Sequence, residues 1–343
     1  MNYGKHTKPA AIWQIVVADI LLLAAALLTF SYFHHVRPVE GEAGKPIITL
    51  PPVVSQLPSN PDLPPELNSA VSGNESTEPD YSYLNLGEKF YDKFNLDNTV
   101  TVTENSYRSG RVSITLTEKK FAGAVCHVAD IYLCDIGNFG TTFAKGKFGK
   151  NISESIPAMA ERGNAILAVN GDYYGTHSKS YLVRNGMLYY DAKADDDICI
   201  LYADGRMETY FENEFNKDAV TAKGPWQAWG FGPKLMEDGK ALFDPVGDDG
   251  FSFNSSVKGK NPRTAIGYYE PGHYCLVMVD GRSDNSSGLS MNELAEFMES
   301  LGCTDAFNLD GGQTSMMIFN GRIIGEPYRG GRNCSDIISI TDF

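Results

Sequence analysis

From about residue 81 to the end of the chain, short apolar runs stop again and again at Asn or Asp followed by Gly. This punctuation limits the fold more than any other feature, because apolar runs of roughly four to eight residues between turn formers read as strands. "TVTENSYRSGRVSITLTEKK" and "GAVCHVADIYLCDI" give extended segments. "ICILYADGRMETYF" reads as a hairpin turning at Asp204-Gly205, and "MIFNGRIIG" as another turning at Asn320-Gly321. Helical spacing appears in "LGEKFYDKF", in "ISESIPAMAERGN" up to Gly163, and in residues 290–302. In the last of these Ser290 and Glu293 form a capping box, and Leu294, Phe297, Met298 and Leu301 share one face. The expectation is an α+β domain: a mixed β-sheet with flanking helices and several β-hairpins.

Three buried strands end alike. "AILAV" leads into "NGDYYG", "YCLVMV" into "DGRSDN", and "DAFNL" into "DGG", so Asp172, Asp280 and Asp310 each stand at a strand end. The second and third strands are joined by the helix of residues 290–302. A parallel strand–helix–strand unit would put both ends on one sheet edge, where ligands bind in such sheets. If "RTAIGYY" and "YCLVMVD" form a hairpin closed by "EPGH", Tyr269 faces Tyr274 and Arg263 faces Asp280, within a residue or two. A single Asp-Gly stop is most often just a turn. Three carboxylates and an arginine on one edge suggest instead a site for an anionic ligand bearing hydroxyl groups. Gly311 and Gly312, lacking Cβ, would let that ligand approach their N–H groups.

The N-terminal side has a different composition. Residues 10–33 are 24 positions with one charge, Asp19, and a helix of that length, about 36 Å, can cross a bilayer. Lys5 and Lys8 precede it, which favours a cytoplasmic tail at 1–9, an uncleaved signal-anchor at 10–33 and a domain outside the cytoplasm. A cleaved signal peptide would need a shorter apolar region and a small-x-small site, which does not follow Leu28. Nine of the 17 prolines fall between Pro38 and Pro79, so residues 34–80 read as an extended, disordered linker before the domain at 81–343.

The formal charge of −14 excludes a broad nucleic-acid surface, which needs clustered Lys and Arg. No CxxC or HExxH spacing points to zinc, and no cofactor is expected, with a divalent cation such as calcium as the alternative. The acidic stretches at 195–197 and 247–250 lack the alternating ligands of an EF-hand and read as solvated loops, with calcium as the alternative. Six cysteines outside a membrane permit disulfides, but Cys126 and Cys134 lie on one strand, about 26 Å apart, and cannot pair.

"VNGDYY" (169–174), "PRTAIGY" (262–268), "VDGR" (279–282) with "SGLSMNELAEFMESLGC" (287–303), "NLDGG" (308–312) and "RNCSDIISI" (332–340) appear in that order. This ordered set resembles the phosphodiester glycosidase family, convincingly over about residues 160–343 and extending toward residue 100. Relatives often carry a third glycine and a serine after Asp-Gly-Gly; this chain has Gln313 and Thr314, then Ser315. The resemblance implies hydrolysis of a sugar-1-phosphodiester, between the anomeric carbon and the phosphate oxygen. With the domain outside the cytoplasm, the expected substrate is an extracellular or cell-envelope one, a sugar-phosphodiester or an envelope glycopolymer. It makes Asp310 the principal carboxylate, with Asp280 and Asp172 as partners. Arg263, with Arg282 and Arg332 as further candidates, would hold the phosphate by bidentate hydrogen bonds. Asn170, Tyr173, Gly311, Gly312 and Ser315 would position the substrate. Two other classes fit the same edge: a non-catalytic module binding wall or capsule polymers, and a transferase passing the sugar to an acceptor other than water.

Overall fold

The structure is a computed structural model that describes residues 12–48, 82–175, 180–193, 196–242 and 259–342. The acidic stretch at 247–250, Asp195 and most of the proline-rich stretch lie outside these residues. The α+β class is as expected, with three principal sheets and few helices.

The largest sheet has seven strands in the order Asp305–Asn308, Arg263–Glu270, His273–Val279, Ala124–Leu133, Val112–Phe121, Ser106–Arg108 and Thr101–Val102. Side-chain alternation divides it between two cores. Ile114, Ile131, Ile266, Leu276 and Phe307 point one way, against Phe139, Leu167, Val169, Phe319 and Ile338 of a five-stranded sheet. Cys126, Val128, Ala265, Val277 and Val279 point the other way, against Leu294, Phe297 and Met298 of helix Met291–Ser300. That helix starts at the expected capping box: Glu293 N donates to Ser290 Oγ and Ser290 N to Glu293 Oε2.

The five-stranded sheet runs Arg322–Ile324, Met317–Phe319, Leu167–Asn170, Asp336–Ile340, Phe139–Phe143, with helix Ile156–Arg162 on its outer face. A six-stranded sheet flanks both, ordered Met207–Tyr210, Ile198–Tyr202, Pro225–Gly230, Leu182–Arg184, Met187–Tyr190, Lys45–Pro46. Both expected hairpins are present, with Gly205 at φ 84° and Asn320-Gly321 at φ 47° and 75°, as tight turns require.

Three details differ from the sequence reading. The strands that end at Asp280 and Asp310 run parallel but are not neighbours, because Arg263–Glu270 lies between them, antiparallel to both. Their ends still share an edge, and the start of the intervening strand joins them there. In the hairpin, Tyr274 pairs with Tyr268 rather than Tyr269, and Arg263 with Val279 rather than Asp280; a bulge after Tyr268 takes up one residue. Finally, residues 39–48 are not free linker. Val39 and Glu40 pair with Lys150 and Gly149, and Lys45 and Pro46 with Leu188 and Met187. Lys45 and Pro46 extend the edge of the six-stranded sheet, where a proline such as Pro46 is tolerated, and Val39 and Glu40 form a separate two-stranded pair.

All six cysteines are free and buried, with Cys126 near the start of the strand Ala124–Leu133 and Cys134 just past its end. Among the described residues one helix, Trp13–Ser31, is long and apolar enough to cross a membrane.

Two carboxylates, buried Asp197 and half-buried Asp305, fasten neighbouring elements together. Asp305 accepts from Thr209 N and Oγ1, and Asp197 accepts from Lys234 N and Glu212 N. Burial nevertheless pushes both carboxyls up to about 6. Raised folded-state values stabilise the fold fully below the unfolded value of 3.8, and that stability is lost as pH rises through about 6. Stability should therefore be greater at pH 5 than at pH 7.5, by about 1 kcal/mol for each group. Thermal melts at the two values check this; a lower Tm at pH 5 would contradict it.

Candidate active site

The facing sheets meet at one edge through Asn170, the fully buried last residue of its strand. Its Nδ2 donates to Asp310 O (2.7 Å), and its Oδ1 accepts from Thr264 Oγ1 (2.8 Å). One side chain thus fixes three strand ends, and it sets where Asp310 emerges.

Asp310 is 5% exposed. Its Oδ1 accepts from Gly311 N (2.9 Å) and its Oδ2 from Arg332 Nη2 (2.7 Å). Burial raises the carboxyl above its usual range, while Arg332 and Thr314 pull the other way. Arg332 is held in turn by Thr314 Oγ1, and its guanidinium lies 4.7 Å from the centre of the Tyr173 ring. Buried Ser315 Oγ has no hydrogen-bond partner among the described residues and lies 3.8 Å from where a Gly311 Cβ would stand.

Beside Gly312 stands exposed Arg282, whose Nη2 would be 3.4 Å from a Cβ there. Asn261 Oδ1 accepts from its Nε and Nη2, and its guanidinium covers the Tyr328 ring at 5.0 Å, with that of Arg329 at 5.1 Å from the same ring. The edge therefore gathers Asp310, Arg332, Tyr173, Asn170, Ser315, Gly311, Gly312 and Arg282. Arg329 and Tyr328 join them; no sequence signal singled these out.

The remaining expected residues are engaged in contacts of their own. Asp280 Oδ2 bonds His127 Nε2 (2.8 Å), and its Oδ1 accepts from Glu326 N (2.9 Å). It therefore pins the start of the segment that carries Tyr328, Arg329 and Arg332. His127 was missed because its partner lies 153 residues away. Asp172 accepts from Arg184 Nη2 (2.7 Å), Gly230 N (3.0 Å) and Tyr174 N (3.2 Å), and Arg184 Nε also donates to Asp336 Oδ2 (2.7 Å). Arg184 was missed too, although a charge inside "YLVRNG" was a visible irregularity. Buried Arg263 donates to Leu289 O (2.9 Å) and Gly259 O (2.6 Å); burial first, then Arg282, lowers it to about 10. The glycine N–H groups are also engaged, Gly311 N with Asp310 and Gly312 N with Pro262 O (2.9 Å). What those glycines supply is close approach, since a Cβ at Gly311 would meet Pro262 O at 2.9 Å.

Tyr173, Arg282 and Arg329 all hold left-handed backbone, at φ 65°, 59° and 52°. Side chains rarely adopt it, and such residues concentrate at binding sites. Arg282→Gly should relieve that strain, leaving Tm unchanged or slightly higher, while raising KM for a phosphodiester roughly 10-fold or more. A fall in Tm with unchanged KM would make the side chain structural.

The family model of the phosphodiester glycosidases matches residues 163–341. A prophage-derived uncharacterized protein of Bacillus subtilis is 30% identical over 183 residues, covering 52% of this chain and 28% of that protein. Bovine N-acetylglucosamine-1-phosphodiester alpha-N-acetylglucosaminidase is 36% identical over 76 residues, 22% of this chain and 14% of the bovine one. The chain thus aligns with less than a third of either relative's length. The catalytic domain of the zebrafish N-acetylglucosamine-1-phosphodiester alpha-N-acetylglucosaminidase shares the fold, with a TM-score of 0.56 at 17% identity over 77% of this chain and 94% of that one. With the family model covering more than half of its 343 residues, the chain belongs to the phosphodiester glycosidase family.

Proposed function

We propose that this protein hydrolyses the bond between the anomeric carbon of a sugar and the phosphate oxygen of a phosphodiester. The observation that carries this reading is the contact of buried Asp310 with Arg332, at a rim that also presents Arg282 and Arg329. Phosphate diesters and departing phosphate monoesters are anions, which guanidinium groups hold by paired hydrogen bonds. Such a leaving group needs little proton donation. The demand falls on the sugar, where positive charge develops at the anomeric carbon and a carboxylate must meet it.

In this mechanism Arg332 and Arg282 clamp the phosphate and stabilise the charge it gains. Asp310 meets the oxocarbenium-like carbon, by attack or by activating water. Ser315 Oγ, buried and without a hydrogen-bond partner among the described residues, takes a sugar hydroxyl, and Tyr173 packs against the ligand. Asp280 and Asp172 act as positioning residues, one through the 326–332 segment and the other through Arg184. Arg263 braces the backbone on which Gly311 and Gly312 rest. The helix at Trp13–Ser31 anchors the chain, and the Lys5/Lys8 bias places the domain outside the cytoplasm.

The test is incubation of the purified full chain with a sugar-1-phosphodiester. Free sugar plus phosphate monoester is the expected product. Transfer of the sugar to an added acceptor would make it a transferase, and binding without turnover would make it a polymer-binding module.

A further inference from the structure

We infer that the domain lies directly on the bilayer surface, with residues 145–151 against the lipid headgroups, and that its substrate is a glycosyl phosphodiester held in that same layer. This rests on two readings given above: the N-terminal helix as an anchor and the Asp310 edge as a glycosidase site.

The connection between helix and domain is too short for a spacer. The helix ends at Ser31, one wider turn runs over Tyr32–Val36, and Arg37 O already accepts from Asn151 Nδ2 (3.1 Å). At roughly 1.5 Å of rise for each helical residue, the end of the span and this first attachment are about 10 Å apart. The headgroup layer is itself roughly 5–8 Å deep. Attachment then continues without a gap. Val39 and Glu40 pair with Lys150 and Gly149, and Gly41 N donates to Phe148 O (2.9 Å). Ile47 N donates to Gly186 O (2.9 Å), and Ile47 packs against the core cluster that holds Val183, Ile200 and Val220. Most of the proline-rich stretch follows these contacts, so it does not hold the domain away from the helix.

The ledge has the chemistry of a headgroup contact. "AKGKFGK" (144–150) brings Lys145, Lys147 and Lys150 together in a chain whose formal charge is −14. Lys147 pairs with Glu40, and Arg37 and Lys45 lie on the segment docked alongside. Anionic lipid surfaces attract such clusters.

The same ledge backs onto the site. Phe148 stacks on Tyr174 at 5.4 Å, next to Tyr173. Ala144 N donates to Ser335 O (2.9 Å), and Glu154 pairs with Cys334, two residues from Arg332. A phosphodiester at headgroup depth therefore meets the arginines without leaving the surface layer.

Because every native cysteine is buried, a thiol-reactive fluorophore at Lys145→Cys or Lys147→Cys reports on the ledge alone. Lys240→Cys is the control: Lys240 pairs with Glu299 of helix Met291–Ser300, which packs on the side of the seven-stranded sheet away from the five-stranded sheet that Ala144 and Ile152 cover. In phosphatidylglycerol nanodiscs carrying nitroxide-headgroup lipid, the ledge probes of the full chain should be quenched at least three-fold more than the control. Equal quenching overturns the docking, as does release of the chain from membranes by alkaline carbonate. A roughly 20-residue Gly/Ser insertion between Val36 and Arg37 adds about 25 Å of reach. It should abolish the difference in quenching and lower turnover of a nanodisc-embedded, lipid-linked sugar phosphodiester at least ten-fold, leaving a soluble short-chain analogue unaffected. Equal turnover of the embedded substrate with and without the insertion overturns the surface-substrate claim. If the parent chain turns over neither substrate, the glycosidase reading fails and the surface-substrate claim with it, whereas the quenching still decides the docking.

Discussion

Asp310→Asn should lower kcat for sugar release from a sugar-1-phosphodiester by roughly 10³-fold or more, with the fold intact. The amide keeps the shape of the carboxylate and can still accept from Gly311 N, but it brings no negative charge to the anomeric centre. Folding should change little, about 1 kcal/mol, for two opposing reasons. Burial already disfavours the charged carboxyl, so removing the charge relieves desolvation. Arg332 loses its partner, but its side chain is 37% exposed and water can take over. Melting curves beside rate measurements separate the two effects. Full activity with an unchanged Tm would remove Asp310 from the mechanism.

The largest stability effect should come from Arg184→Met. This guanidinium is fully buried between Asp172 and Asp336, with further bonds to Ala228 O and Val183 O. It also lies 5.9 Å from the centres of both the Tyr174 and Trp229 rings. Methionine fills much of the volume but leaves two buried carboxylates without their cation. Breaking a buried pair from one side costs about 3–5 kcal/mol, a fall in Tm of roughly 10 °C or more for a domain of this size. The triple variant Arg184→Met, Asp172→Asn, Asp336→Asn should regain part of that loss, because no uncompensated charge remains. If Arg184→Met melts like the parent, the network is not what holds the strand Leu182–Arg184 to the site.

What the sequence revealed and what it hid follow from the range of the interactions. Turn chemistry and alternation are local, so the hairpins at Asp204-Gly205 and Asn320-Gly321 and the capping box at Ser290 were legible. The shared edge of Asp280 and Asp310 was legible from topology, since a helix returning the chain to a strand running the same way sets both ends together. The one-residue error at Arg263 came from a bulge, which alternation alone does not mark. The partners of the carboxylates were hidden, because the fold brings them from elsewhere in the chain. His127 claims Asp280 and Arg184 claims Asp172, across separations of 153 and 12 residues. The docking of residues 39–48 was hidden by composition: Pro46, two glycines and the proline-rich stretch that follows resemble a linker, yet Val39–Glu40 and Lys45–Pro46 both find strand partners.

The central claim is cleavage at the sugar side of the phosphodiester, and the position of the oxygen supplied by water tests it most directly. The full chain is incubated with a sugar-1-phosphodiester in ¹⁸O-water, and the phosphate monoester is analysed by mass spectrometry at early times. Attack at the anomeric carbon puts the heavy oxygen in the sugar and leaves the phosphate monoester unlabelled. A labelled phosphate monoester would mean attack at phosphorus and would contradict the account.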